Sequence, residues 1–152
     1  MSELKDKINV DLKSAMLSRD SVKTQTLQGL KSVILYEEVA KKVRETGLDD
    51  AQIEQLVARE VKKRDEAAEL FERGGNQASA DKERLEKEFL SVYLPQQLSE
   101  ADVMRVVEAV MTELQPEGIK DMGRVIGAVK AKVGTAADGA LVAKLVKESL
   151  QP

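Results

Sequence analysis

An all-α fold follows from three features of the 152-residue sequence. Apolar residues recur every three or four positions along most of its length. The core-forming residues are aliphatic, since hydrophobic residues make up 42% of the chain but aromatic ones only 3%. Cap-forming Ser, Asp and Asn and chain-breaking Gly and Pro interrupt the stripes at intervals suited to helices. With 34% charged residues available for the outer faces, helix packed on helix is favoured over a β-sandwich. The length suits one domain or two small ones. The breaks divide it into an N-terminal helical domain of about four helices, residues 1–95, and a C-terminal three-helix domain, residues 99–152.

Ser2 stands where an N-cap opens the first helix, whose stripe is Leu4, Ile8, Leu12 and Ala15, flanked by Val10 and Met16. Arg19-Asp20-Ser21 is a polar break, and Asp20 or Ser21 caps a long second helix over about 22–45. Leu27, Leu30, Val33, Ile34 and Leu35 give that helix a wide apolar face. Gly29 interrupts it, which points to close packing, and Gly47 ends it. Asp49 caps the third helix, with Leu48 placed to staple against Ile53. The predicted buried side is Ile53, Leu56, Val57, Val61, Ala67, Ala68, Leu70 and Phe71, and Gly74-Gly75-Asn76 stops the helix. Ser79 is expected to cap the fourth helix, with Leu85, Phe89, Leu90 and Val92 as its apolar positions. Pro95 forces Leu94 away from helical angles and sets the domain boundary, across which Tyr93 and Leu98 are expected to pack. Ser99 caps the fifth helix, about 100–113, with Asp102 as the weaker half of a capping box. Its stripe is Val103, Val106, Val107, Val110 and Leu114, and Gln115-Pro116-Glu117-Gly118 is a turn.

Residues 121–150 read as a helical hairpin. Met122, Val125, Ile126, Val129 and Val133 line one arm. The other arm carries Leu141, Val142, Leu145, Val146 and Leu150, and Asp138 caps it after the breaker 134–139. Gly123 and Gly127 cost about 1 kcal/mol each against Ala inside the first arm. Either the helices approach closely there, or the backbone is bare so that a partner can come near. From 120 to 150 six bases face three acids, a net charge of +3, which leaves −6 for the rest of a chain whose total is −3. Arg124, Lys130, Lys132, Lys144 and Lys147 are therefore the candidate phosphate-contacting residues, and Gly123 and Gly127 the candidate close-approach backbone.

The composition removes much of the usual chemistry. The sequence has no cysteine and no histidine, which excludes disulfides, thiol catalysis and Cys or His metal sites, and takes away the commonest general base. Glycines 118–127 have the wrong spacing for a phosphate loop. Glu37-Glu38 and Asp49-Asp50 read as solvated faces or caps. A carboxylate-only metal site from Glu54, Glu60 and Glu66 would need burial that spacing does not supply. The basic run Arg59, Lys62, Lys63, Arg64 reads as an exposed salt-laced helix, with Lys62 and Glu66 four apart. No catalytic set, metal or cofactor is expected. Neither a signal-like nor a membrane-spanning apolar run is visible, so the expected location is the cytoplasm.

Three stretches together resemble the GatB/YqeY family, specifically its stand-alone YqeY-like members. They are Val92-Tyr93-Leu94-Pro95-Gln96-Gln97-Leu98-Ser99, Asp121-Met122-Gly123-Arg124-Val125-Ile126-Gly127, and Ala137-Asp138-Gly139 before the final helix. Asn76 departs from the pattern, since such proteins often carry Arg after the glycine. The resemblance implies an all-helical fold in two parts. The smaller part is similar to the tail of the GatB subunit of glutamine-dependent tRNA amidotransferase, which engages tRNA while the chemistry lies elsewhere. A carbon–nitrogen ligase activity with glutamine as amido-N-donor is thus implied for the family, without a catalytic set in these residues. The expected function is a non-catalytic, RNA-binding accessory module for tRNA in translation. The alternative is a protein adaptor docking on an amidotransferase subunit or the translation machinery, with an enzyme far behind.

Overall fold

The computed structural model describes residues 2–151, and the elements among them are all helical. The chain forms two compact units, the first ending at Leu94 and the second beginning at Pro95.

The first unit holds α1 (Glu3–Leu17), α2 (Ser21–Ala40), α3 (Asp50–Arg73) and α4 (Gln77–Ser91). Its core is aliphatic as composition requires: Ile8 and Leu12 meet Leu27, Leu30 and Ile34 of α2, Ile53, Leu56 and Val57 of α3, and Leu90. Tyr93 closes this core. Its hydroxyl donates to Asp11 at 2.6 Å and Lys7 lies 5.6 Å from its ring centre. Burial, then the Asp11 carboxylate, push its phenol pKa well above the usual value.

Three of these helices end by one device. Arg19, Lys42 and Gly75 take left-handed backbone angles, and the next amide reaches back five residues: Asp20 to Ala15, Val43 to Glu38, Asn76 to Phe71. Asp20 and Asn76 then act as N-caps of α2 and α4, accepting from the amides of Lys23 and Ser79. This corrects two expectations. Ser79 is not the cap of α4, because the residue that ends one helix already starts the next. The second helix stops at Ala40, short of 45, because Lys42 turns the chain so that Val43 packs against the core.

Asp49 forms a full capping box with Gln52, and Leu48 and Ile53 are both buried at the staple positions. Asp50 accepts from the Ser2 hydroxyl and from the Leu4 amide at 3.2 Å, and these donors hold its carboxyl below the usual range. Glu38, expected on a solvated face, is buried instead. Its Oε1 accepts from Lys5 Nζ at 2.6 Å and from the Leu48 amide at 3.4 Å, so one carboxylate joins α1, α2 and the loop entering α3. Gly47, at φ +77°, lies against it, and a Cβ there would be 3.5 Å from that oxygen.

Along their length α3 and α4 are linked by ion pairs as well as by apolar burial. Ala68 and Ala80 are buried, while Leu70, Phe71, Leu85 and Val92, expected on apolar faces, are exposed. Arg64 lies 3.1 Å from Glu86 and 3.8 Å from Glu83, Lys87 meets Asp65 at 2.8 Å and Arg84 meets Glu72 at 2.5 Å. Small residues let the helices approach, and the ion pairs flank that contact. Leu35, also expected inside, is exposed, and a Cβ on Gly29 would meet nothing within 4 Å, so close packing does not explain that glycine.

The second unit holds α5 (Glu100–Leu114), α6 (Met122–Val133) and α7 (Gly139–Leu150), with short 3-10 turns at Ile119–Asp121 and Gly134–Ala136. Nine residues form its core, eight of them valines: Val103, Val107 and Val110 of α5, Val125, Val129 and Val133 of α6, and Val142 and Val146 of α7, with Leu145 as the ninth.

 Leu98 packs against this second core while Tyr93 belongs to the first, so each serves its own unit. Ser99 caps α5 by accepting from the Asp102 amide at 3.1 Å. The Asp102 carboxylate turns to Arg105 rather than completing a capping box. Among the described residues no helix is long and apolar enough to cross a membrane.

Candidate nucleic-acid interface

The hairpin of α6 and α7 carries every predicted site residue, and the structure sorts them. Residues two apart on a helix point to different sides. Lys132 accordingly turns toward α5, where its ammonium meets Glu113 at 3.1 Å, while Lys130 turns toward α7. Arg124 stands 3.8 Å from Asp121, and Lys120 pairs with Glu117 at 2.5 Å. Lys130, Lys144 and Lys147 are exposed and make no ion pair among the described residues. The local excess of positive charge therefore rests on these three, with Arg124 loosely held beside them.

Lys130 has a particular position. Its Cε and Nζ lie 3.4 Å from where a Cβ on Gly139 would be, so its ammonium lies over the opening residue of α7. The positive end of that helix also favours an anion. Asp138 caps the same end by accepting from the Ala140 amide at 3.1 Å. Gly123 and Gly127 are exposed, and a Cβ on either would meet nothing within 4 Å. Close helix approach within the chain does not account for them. They leave a bare strip of backbone on the outer side of α6.

Sequence reading missed the residue that ties the hairpin's turn to the start of this unit. Gln97 donates through Nε2 to the carbonyls of Pro95 and Thr135, both at 3.0 Å, and the Leu98 amide donates to Ala136 at 2.8 Å. The Pro95–Leu98 stretch thus braces the turn at Gly134–Ala136, where Gly134 takes φ +53°. The only signal in the sequence was a Gln in a short polar joint, and its distant partner, the Thr135 carbonyl, lies almost forty residues on.

The other candidates disperse. Glu60 is buried and paired with Lys63 at 3.2 Å, and no group of acids among the described residues is assembled to hold a metal, so Glu54, Glu60 and Glu66 form no such site. Lys62 and Glu66 do not pair; Lys63 reaches Glu60 and Arg64 crosses to α4. In the first unit a cavity of about 230 Å³ opens between α1 and α2, floored by Ile8, Ile34 and Leu35, with Lys5, Asn9 and Lys31 around it.

No curated protein matches the sequence closely enough to count as a relative. A family model described as YqeY-like protein matches residues 5–150, nearly the whole chain, and the protein belongs to that family.

Proposed function

We propose that the protein is a non-catalytic accessory module that binds RNA, with tRNA as the partner, in or beside glutamine-dependent tRNA amidation. The observation that carries this reading is the set of exposed ammonium groups of α6 and α7 that make no ion pair among the described residues, Lys130, Lys144 and Lys147. Membership of a family related to the amidotransferase tail supports the choice of tRNA. Ammonium groups without carboxylate partners exchange counterions for phosphates, whereas Lys120 and Lys132 would first have to break existing pairs.

Four phosphate contacts, from these three lysines and Arg124, give a slope of about −3 for log affinity against log salt, or roughly a sixtyfold loss between about 50 and 200 mM salt. Titration of labelled tRNA at rising salt measures it. Replacing Lys130, Lys144 or Lys147 by Glu lowers both the affinity and the slope, and Lys132→Glu does so least. Absence of binding at low salt, or equal effects at all four positions, overturns the reading.

A second reading, an adaptor docking on an amidotransferase subunit or the translation machinery, draws on the exposed Leu70 and Phe71 of α3. A pull-down that survives nuclease and is lost with Leu70→Glu favours it.

A further inference from the structure

The outer face of α2 is unlike the rest of the molecule. In a chain with 34% charged residues, Lys31 is the only charged residue that α2 exposes. Gln25, Gly29, Ser32, Tyr36 and Val39 are all exposed and follow one another at spacings of four and three, the seam spacing of paired helices. Tyr36 is 77% exposed, Val39 54% and, beside them, Leu35 46%. Nothing within 4 Å occupies the space above Gly29, although glycine in mid-helix costs about 1 kcal/mol.

We propose that this face pairs with the same face of a second copy, α2 against α2, antiparallel about a two-fold axis. A surface whose one exposed charge is Lys31 meets its own copy with little repulsion, and a two-fold contact requires a patch that complements itself. This one does, because large and small residues share the stripe. With the axis near Ile34, Tyr36 lies over the partner's Ser32 and Val39 over the partner's Gly29, a large side chain on a small one in each layer. A parallel arrangement stacks Tyr36 on its own copy and Gly29 on its own copy, which crowds one layer and empties the other. The groove between α1 and α2 continues the face, since Ser32 and Leu35 also line it. Gly29 then has a role that the single chain does not give it.

Sedimentation equilibrium of the full chain over a wide concentration range tests this. A monomer–dimer equilibrium is expected. Tyr36→Glu, at an exposed position, raises the dissociation constant by at least about tenfold. Leu70→Glu, an exposed apolar position on α3, leaves it unchanged. Because the chain has no cysteine, register is tested directly. An equal mixture of Gly29→Cys and Val39→Cys chains, oxidised under native conditions, gives mainly the mixed disulfide-linked dimer. A monomer at every concentration, a dimer indifferent to Tyr36→Glu, or cross-links chiefly between like chains overturns the proposal.

Discussion

The Lys5–Glu38 pair makes an asymmetric prediction. The two side chains meet at 2.6 Å, but that of Lys5 is 35% exposed and that of Glu38 only 3%. Lys5→Met leaves the Glu38 carboxylate buried with one amide donor, Leu48, at 3.4 Å. Removing one partner of a buried pair costs about 3–5 kcal/mol, and the partial exposure of Lys5 places this case near the lower end, about 3 kcal/mol. Glu38→Gln keeps an acceptor for Leu48 and frees an ammonium that water can reach. It exchanges a charge-assisted hydrogen bond for a neutral one and costs about 1 kcal/mol. Lys5→Met combined with Glu38→Met removes both charges and recovers much of the loss, apart from the Leu48 amide. Urea unfolding followed by circular dichroism reads these differences. With a slope of about 1.5 kcal/mol per M, the midpoint of the first unit falls by about 2 M for Lys5→Met and by less than about 1 M for Glu38→Gln. Equal losses from the two single variants, or a double variant worse than Lys5→Met, would refute the reasoning.

Other consequences follow from the same contacts. Tyr93 has a folded pKa raised above the ordinary 10.0, so its contribution to stability is fully present below about pH 10 and is lost as pH rises above it. Alkaline unfolding of the first unit therefore begins near pH 10, and Tyr93→Phe, though less stable at neutral pH, loses stability less steeply there. Gln97→Ala removes one hydrogen bond to the hairpin turn, at Thr135, and a local one to Pro95, and destabilises the second unit by about 1 kcal/mol, measured by thermal unfolding. Gly134→Ala places a side chain at φ +53° and costs about 1–2 kcal/mol in the same assay. Gly29→Ala, where nothing crowds a Cβ, raises the helical stability of the isolated chain by up to about 1 kcal/mol, provided it is measured at concentrations too low for pairing.

Local information was sufficient for much of the fold. The stripes through Ile8, Leu27, Ile53, Val103, Val125 and Val142 and the caps Ser2, Asp49, Ser99 and Asp138 were legible because helix period and cap chemistry act within a few residues. So were the candidate bases of the last hairpin, since charge is carried by residue type. What the sequence could not determine is what each residue meets. Leu70 and Phe71 fit an apolar stripe yet face solvent, because Ala68 and Ala80 and the ion pairs around them make the α3–α4 contact. Glu38 looks like a surface acid yet is buried, because Lys5 and the Leu48 amide converge on it from distant parts of the chain. Lys130 and Lys132 look equivalent in a list of bases; only packing sets one over α7 and the other against Glu113. Helix period and capping are properties of neighbours along the chain, whereas burial, pairing and the freedom of a charge depend on which helices tertiary packing brings alongside.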